Sequence, residues 1–275
     1  MTAPDPHAPL FDMDVPRSPT PVEQLLALAG LHTRHNDRID LLLHGHPHPG
    51  PDTYTASAHG LERETLACVR AIQQQRLPAV EPVPSTLVRL RQIAYLSGGA
   101  ARYLGTAQHS LPTEDEPGLP LDRRRGAGQM VALARELTAL ASPAIIESAV
   151  HLAPRFRTQA PGRAAAVDGS QRGVLLMVAR GHLTIVGQGD RVYGDSVPVD
   201  AQALHSLHDQ RLLISEPASV PPLFPGGPLR DRAHLTALGI SALSTILHSS
   251  TVRPAGSALL PTASLGPADT GHTRR

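Results

Sequence analysis

Hydrophobic residues recur every three to four positions between residues 20 and 152, which is the spacing of one buried helix face. The first run begins at Thr20-Pro21-Val22-Glu23, where the threonine and the glutamate three residues later form the capping box of a helix start. Proline- and glycine-rich breaks at 45–50 and 78–84 stop this run and the next one. The pattern therefore predicts a bundle of helices over residues 20–152.

Two adjacent glycines, Gly98 and Gly99, interrupt the third helical run. Each glycine costs about 1 kcal/mol relative to alanine in a helix interior. Either another helix crosses closely at this point and offsets the cost, or the helix kinks there. The sequence leaves both interpretations open.

The period of the pattern changes near residue 170. β-Branched runs at 182–186 and 191–193 flank Gly187-Gln188-Gly189-Asp190, which is typical of a β-hairpin. The elements predicted here are, in chain order, a helix over 170–181, the hairpin, a helix over 200–211, a strand at 212–214, a returning strand at 230–235 and a helix over 237–248. The pattern indicates a small α+β unit after the helical bundle.

Composition marks the connections between these parts. Residues 1–19 are rich in proline, residues 153–169 carry three arginines against Asp168 alone, and the residues after Ser249 are of low complexity. We therefore expect a mainly α protein in five segments: a disordered leader over 1–19, a helical bundle over 20–152, a basic linker over 153–169, an α+β domain over 170–249 and a disordered tail over 250–275.

The α+β segment resembles winged-helix regulators over about residues 170–250. The resemblance lies in the run Ala203–Leu213, ALHSLHDQRLL, and in Leu235-Thr236-Ala237-Leu238-Gly239. In that family a helix of the form x-x-L-x-x-R-G-L-h precedes the wing, and L-T-x-x-G follows it. This chain has Gln210-Arg211 in place of the basic-Gly turn and a hairpin in place of the usual second helix. An unrelated small α+β domain with ordinary helix caps is the alternative.

The resemblance implies a DNA-associated regulatory or accessory protein that contacts duplex DNA through residues 200–211 and the wing at 230–232. The candidate DNA-binding residues are Arg191, Gln202, His205, Ser206, Arg230 and Arg232. Residues 168–250 nevertheless contain six arginines and seven acidic residues, a balance of −1. Because phosphate neutralisation supplies most of the affinity for DNA, this charge favours the alternative of a protein-binding adaptor without nucleic acid.

The charged residues and the cysteine count exclude several classes of enzyme. All 25 basic residues are arginine, against 24 acidic ones, so the chain has no lysine for a Schiff base or a phosphate-binding loop. Cys68 is the only cysteine, which excludes a disulfide within the chain and a cysteine-based metal set. Ser196 and the Asp231–His234 pair resemble the blocks of G-D-S-L esterases, but they lie too close together in the sequence for that fold. We therefore expect no enzymatic activity and no cofactor.

Histidine is abundant, with 15 residues. Five of them lie within one short stretch: His32, His35, His44, His46 and His48. Neutral imidazoles at such spacing can bind zinc or nickel, but no His-Glu-x-x-His motif accompanies them. His44, His46 and His48 lie in a proline-rich loop, where histidine side chains are usually solvated, so we expect no metal site.

No apolar run approaches the ~18 residues of a membrane span, and the N-terminal residues lack the apolar core of a signal peptide. The sequence therefore predicts a cytoplasmic protein without a membrane partner. We also expect a homodimer that forms through the helical bundle.

Overall fold

The chain is mainly helical, with a small antiparallel sheet near its C-terminal end. The structure is a computed structural model and describes residues 18–46, 52–109, 121–159, 167–186, 191–194 and 199–249. The predicted leader before residue 18 and the predicted tail from residue 250 lie outside the described residues.

The described residues of the first part form helices and their connections. The helices are α1 (Pro21–Leu43), α2 (Asp52–Gln74), α3 (Val83–Gln108), α4 (Leu121–Thr138) and α5 (Ala141–Leu152), followed by a 3₁₀ helix at Ala153–Gln159. The capping box at the start of α1 is confirmed, because the Glu23 amide donates to Thr20 Oγ1 at 3.2 Å and the Thr20 amide donates to Glu23 Oε2 at 2.8 Å.

Helix α3 runs through the glycine pair. A Cβ at Gly98 would lie 3.0 Å from the Glu62 carboxyl carbon on α2, and a Cβ at Gly99 would lie 3.1 Å from Leu137 Cδ1 on α4. The glycines therefore allow two helices to approach α3 closely. This confirms the close-crossing interpretation.

The second part contains α6 (Gly169–Ala179), β1 (Leu183–Val186), β2 (Arg191–Gly194), α7 (Ala201–Asp209), β3 (Leu213–Val220), β4 (Arg230–Leu235) and α8 (Ala237–Ser249). The strands pair antiparallel in the order β2-β1-β4-β3, and the β1–β2 hairpin is confirmed. Strand β3 is longer than predicted, because its edge position tolerates Pro217 within the strand. Its pairing with β4 shifts between Glu216 and Val220.

One hydrophobic core joins the two parts. It includes Leu25 of α1, Ile145 of α5, Leu175 of α6, Leu213 of β3 and Leu243 of α8. Apolar side chains from both sides of the expected linker therefore pack together rather than in separate domains.

The linker prediction over 153–169 is wrong at its start. Ala153 is fully buried and Phe156 is 2% exposed, and the 3₁₀ helix that carries them packs against α8. The sequence predicts a linker because arginines dominate the composition of this segment, and composition does not reveal that the side chains of Ala153 and Phe156 are buried. Residues 160–166 of the predicted linker lie outside the described residues.

Candidate functional site

The outer face of α7 is the first candidate site. Asp200 caps this helix by accepting from the amides of Gln202 at 2.9 Å and Ala203 at 3.2 Å. Leu204 and Leu207 are buried, as the sequence pattern predicts, which turns Gln202 and His205 toward solvent. Both side chains can therefore meet an external partner.

Ser206 is less accessible than the sequence suggests. Its hydroxyl oxygen accepts from Gln171 Nε2 of α6 at 2.9 Å and from Gln210 Nε2 at 3.1 Å. The residue joins α7 to α6, and its two acceptor positions are already used.

The sequence predicts Arg232 on the surface, but the residue is buried in the structure. Its side chain donates to both oxygens of Asp37 on α1, from Nε at 2.9 Å and from Nη2 at 2.6 Å, and Nη1 donates to the Gly181 carbonyl at 2.6 Å. Arg232 is 9% exposed, so α1 shields its guanidinium from any phosphate in this structure. Its assignment as a DNA contact is therefore corrected.

Arg230 braces the β3–β4 hairpin. Its Nε donates to the Pro221 carbonyl at 2.7 Å, and its Nη1 donates to Thr184 Oγ1 on β1 at 3.1 Å. These bonds hold the guanidinium against the protein rather than directing it outward. Arg191 lies in β2, but its side chain lies outside the described part of the chain.

Carboxylates lie at the starts of α6 and α7. Asp168 caps α6, and Asp200 accepts from Ser170 Oγ at 2.7 Å as well as from its own helix. The hydrogen bond from Ser170 and the backbone amides lower the pKa of Asp200, so the carboxylate is charged at neutral pH. Arg211 is an exposed cation two residues after the end of α7, Arg172 lies on α6, and Arg180 is the C-cap residue of α6.

A buried polar face on α1 was not anticipated from the sequence. Thr138 Oγ1 donates to Asn36 Oδ1 at 2.6 Å, and Arg135 of α4 donates to both carboxylate oxygens of Asp40 at 2.8 and 3.0 Å. Thr33 Oγ1 donates to Ser142 Oγ at 3.0 Å. The sequence signal for this face is that polar residues alternate with leucines along α1. A helix that contacts other elements on more than one side can show such a pattern, because its polar side chains also have partners.

Two histidines of α1, His32 and His35, are buried. His32 is fully buried, and neither ring nitrogen has a hydrogen-bond partner among the described residues, while His35 Nδ1 lies 3.0 Å from Ser57 Oγ. Burial lowers the pKa of His32 to about 3 and that of His35 to about 4, so both rings are neutral at physiological pH. Within the described residues no three His, Cys, Asp or Glu side chains converge to hold a metal ion, and His48 lies outside them.

Glu216 of β3 connects α1 to the sheet. Its Oε2 lies 3.3 Å from Arg34 Nε and 3.0 Å from Nε2 of the buried His234. Burial, together with Arg34 and Arg232, lowers the pKa of His234 to about 4. Asp231 accepts from the Ala218 amide at 2.9 Å, so the esterase-like Asp231–His234 block makes structural contacts. Ser196 lies outside the described residues.

The thiol of Cys68 is poorly suited to nucleophilic chemistry. Burial, and to a smaller extent Glu64, raises its pKa to about 12.

Among the described residues, no helix has the length and apolar character that crossing a membrane requires. No family model, curated protein or solved structure matches this chain.

Proposed function

We propose that this chain is a non-catalytic, DNA-associated regulatory or accessory protein that contacts duplex DNA with the outer face of α7. The order of elements carries the proposal: β1, β4 and β3 lie side by side, and α7 directly precedes β3. A winged-helix module uses this order to place its recognition helix next to the wing. The proposal rests on this likeness of arrangement and on the exposure of α7.

The residues that we propose to contact DNA differ from those that the sequence predicts. Gln202 and His205 are the candidates for base edges, because glutamine can pair with adenine in the major groove. Arg211, with Arg172 as a second cation, is the candidate for phosphates. With two or three phosphate contacts, the logarithm of the binding constant should fall with the logarithm of salt concentration with a slope of about −2 to −3 per chain.

The salt dependence of binding tests this proposal. Fluorescence anisotropy on a mixed-sequence duplex should show binding at low salt that weakens as salt is added. Arg211→Gln should reduce the slope by about one unit. Arg63→Gln, an exposed arginine on α2, is the matched control and should leave the slope unchanged. A folded protein that retains no duplex at low salt would exclude DNA binding.

Sequence preference gives a second readout. Gln202→Ala should change which duplexes are enriched from a random pool while it leaves the salt slope as it was, because base contacts carry the sequence information. If the variant and the wild type enrich the same duplexes, the assignment of α7 as the recognition helix is wrong.

A protein-binding adaptor is the second candidate function, and the end of the β3–β4 hairpin favours it. Leu223 is 54% exposed and Phe224 is 61% exposed there, next to each other in a proline-rich turn. Exposed aromatic and aliphatic pairs of this kind are typical anchors of protein contacts. The adaptor function predicts that Phe224→Ser abolishes capture of a specific protein partner, that Arg211→Gln has no effect on capture, and that duplex DNA is not retained.

A further inference from the structure

A cleft of about 740 Å³ lies between α1 and the β3–β4 hairpin. Arg34, Asp37 and Arg38 line it from α1, and Glu216, Ser219 and Leu229 line it from the hairpin. The cleft is separate from the outer face of α7, and neither proposed function uses it.

Positive charge in this cleft is only partly compensated. Arg34 and Arg38 lie four residues apart on α1 and therefore on one side of the helix. Arg38 is half-buried and forms no hydrogen bond or ion pair with any residue that the structure describes. Asp37 cannot neutralise it fully, because both of its carboxylate oxygens already accept from Arg232.

Arg34 is held only loosely. Its Nε lies 3.3 Å from Glu216 Oε2, and both side chains of this pair are about two-fifths exposed, at 41% and 39%. An exposed ion pair of this kind contributes little free energy. Glu216 Oε2 also lies 3.0 Å from His234 Nε2. Glu216 therefore retains one polar contact when Arg34 leaves it to bind an external anion.

The hairpin wall of the cleft is fixed in an unusual conformation. Ala218 has a φ of +51°, in the left-handed region that residues with a Cβ seldom adopt. Its amide donates to Asp231 Oδ1 at 2.9 Å, and the next residue, Ser219, donates to the Glu216 carbonyl at 2.8 Å and accepts from the Arg232 amide at 3.1 Å. Such conformations occur where the surrounding structure enforces them, and they cluster at ligand sites.

We propose that this cleft binds a small multivalent anion, with Arg38 and Arg34 as its ligands and Glu216 as the internal competitor for Arg34. Two guanidinium groups one helical turn apart suit a phosphate group or a pair of carboxylates, because each guanidinium can donate two parallel hydrogen bonds.

Calorimetric titration of the full chain with inorganic phosphate, and separately with citrate, tests the proposal. The ionic strength is held constant with sodium chloride, and no nucleic acid is present, so the result does not depend on DNA binding. The wild type should show saturable binding to at least one probe. Phosphate binding alone would indicate a phosphorylated ligand, and citrate binding alone would indicate a polycarboxylate.

Three variants separate this site from general attraction of anions. Arg38→Gln should bind about tenfold more weakly, as expected for the loss of a charged hydrogen bond, whereas the matched control Arg63→Gln should bind like the wild type. Glu216→Gln should bind about twofold to fivefold more tightly, because the competitor for Arg34 is removed. Far-UV circular dichroism checks that each variant is folded.

The proposal is overturned if the wild type binds neither probe. It is also overturned if Arg38→Gln and Arg63→Gln bind equally well, or if Glu216→Gln does not bind more tightly than the wild type.

Discussion

Asp37 and Arg232 are 195 positions apart in the sequence, yet they form a two-point ion pair inside the protein. Taking two such charges out of water is costly, and the pair persists because the carbonyl of Gly181 accepts a further guanidinium hydrogen. Gly181 itself approaches α1 closely, since a Cβ there would lie 2.7 Å from Thr33 Oγ1. A small residue is therefore required where the pair is enclosed.

Removal of one partner should destabilise the protein strongly. Asp37→Asn leaves the guanidinium of Arg232 buried without its counter-charge, and we expect a loss of about 3–5 kcal/mol in the free energy of unfolding. Urea denaturation measures this loss. Glu147→Gln, which breaks the exposed pair with Arg89, is the control and should cost less than about 1 kcal/mol. Equal losses in the two variants would contradict a structural role for the buried pair.

The buried histidines should make stability depend on pH. His32 has a pKa of about 3 in the folded chain against 6.5 as its ordinary value, so below pH 6.5 the unfolded chain binds the proton and the folded chain does not. Stability is then complete above pH 6.5 and is lost as the pH falls toward 3. Between pH 6.5 and 5 the loss is about 2 kcal/mol for this residue.

His32→Leu tests this dependence. The substitution should leave stability at pH 7.5 equal or higher, because the ring nitrogens that it removes have no partner among the described residues. It should also recover about 2 kcal/mol of the loss at pH 5, as measured by urea midpoints at the two pH values. His44→Leu, at an exposed position, is the control. An unchanged pH dependence in His32→Leu would contradict the assignment.

At the scale of elements, Gly239 explains the Leu-Thr-x-x-Gly pattern at the start of α8. A Cβ at this position would lie 2.1 Å from the Leu212 carbonyl oxygen, which also accepts from the Thr236 amide at 3.0 Å. Thr236 Oγ1 accepts from the Gly239 amide at 3.0 Å and so caps the helix. The glycine therefore allows the first turn of α8 to pack against Leu212, in the connection between α7 and β3.

Gly239→Ala should therefore force α8 away from this carbonyl. We expect a loss of at least about 2 kcal/mol in stability, because a backbone atom cannot yield as a flexible side chain does. Gly173→Ala is the matched control within α6, where a Cβ meets nothing within 4 Å, and it should raise stability by about 1 kcal/mol. Thermal unfolding of both variants checks the two signs. A tolerated Gly239→Ala would show that the contact is not required.

The sequence predicted most elements but not which of their faces meet. Periodicity located α1, its cap and the β1–β2 hairpin, because these depend on residues close in the chain. Arg230 and Arg232 alternate along β4, as on an exposed charged strand, and no local signal indicates that α1 covers that face. The candidate site also differs from the prediction because tertiary packing, which the local sequence does not reveal, pairs Arg232 with Asp37.

At the scale of the whole molecule, α3 carries two large, exposed apolar side chains. Val88 is 62% exposed and Tyr95 is 71% exposed, and their separation of seven positions, two helical turns, places both side chains on one side of the helix. We propose that the expected homodimer forms there.

Sedimentation equilibrium measures this association. The wild type should sediment as a dimer, and Tyr95→Glu should shift it to the monomer, because burial of an unpaired carboxylate in the interface is costly. Leu140→Glu is the control, since Leu140 is 78% exposed but lies between α4 and α5 rather than on α3. A monomeric wild type, or a Leu140→Glu variant that dissociates equally, would rule out this interface.

The shared core also determines when the protein can fold during its synthesis. Domains of many proteins fold one after another as they leave the ribosome. Here the carboxylate of Asp37 meets its counter-charge only after residue 232 has emerged, and Leu25 and Ile145 share a core with Leu243 near the end of the described chain. We therefore expect apolar and charged surface on α1 and α5 to stay uncovered until the residues through Leu243 have emerged. During that interval the exposed surfaces should make the newly made chain prone to aggregation.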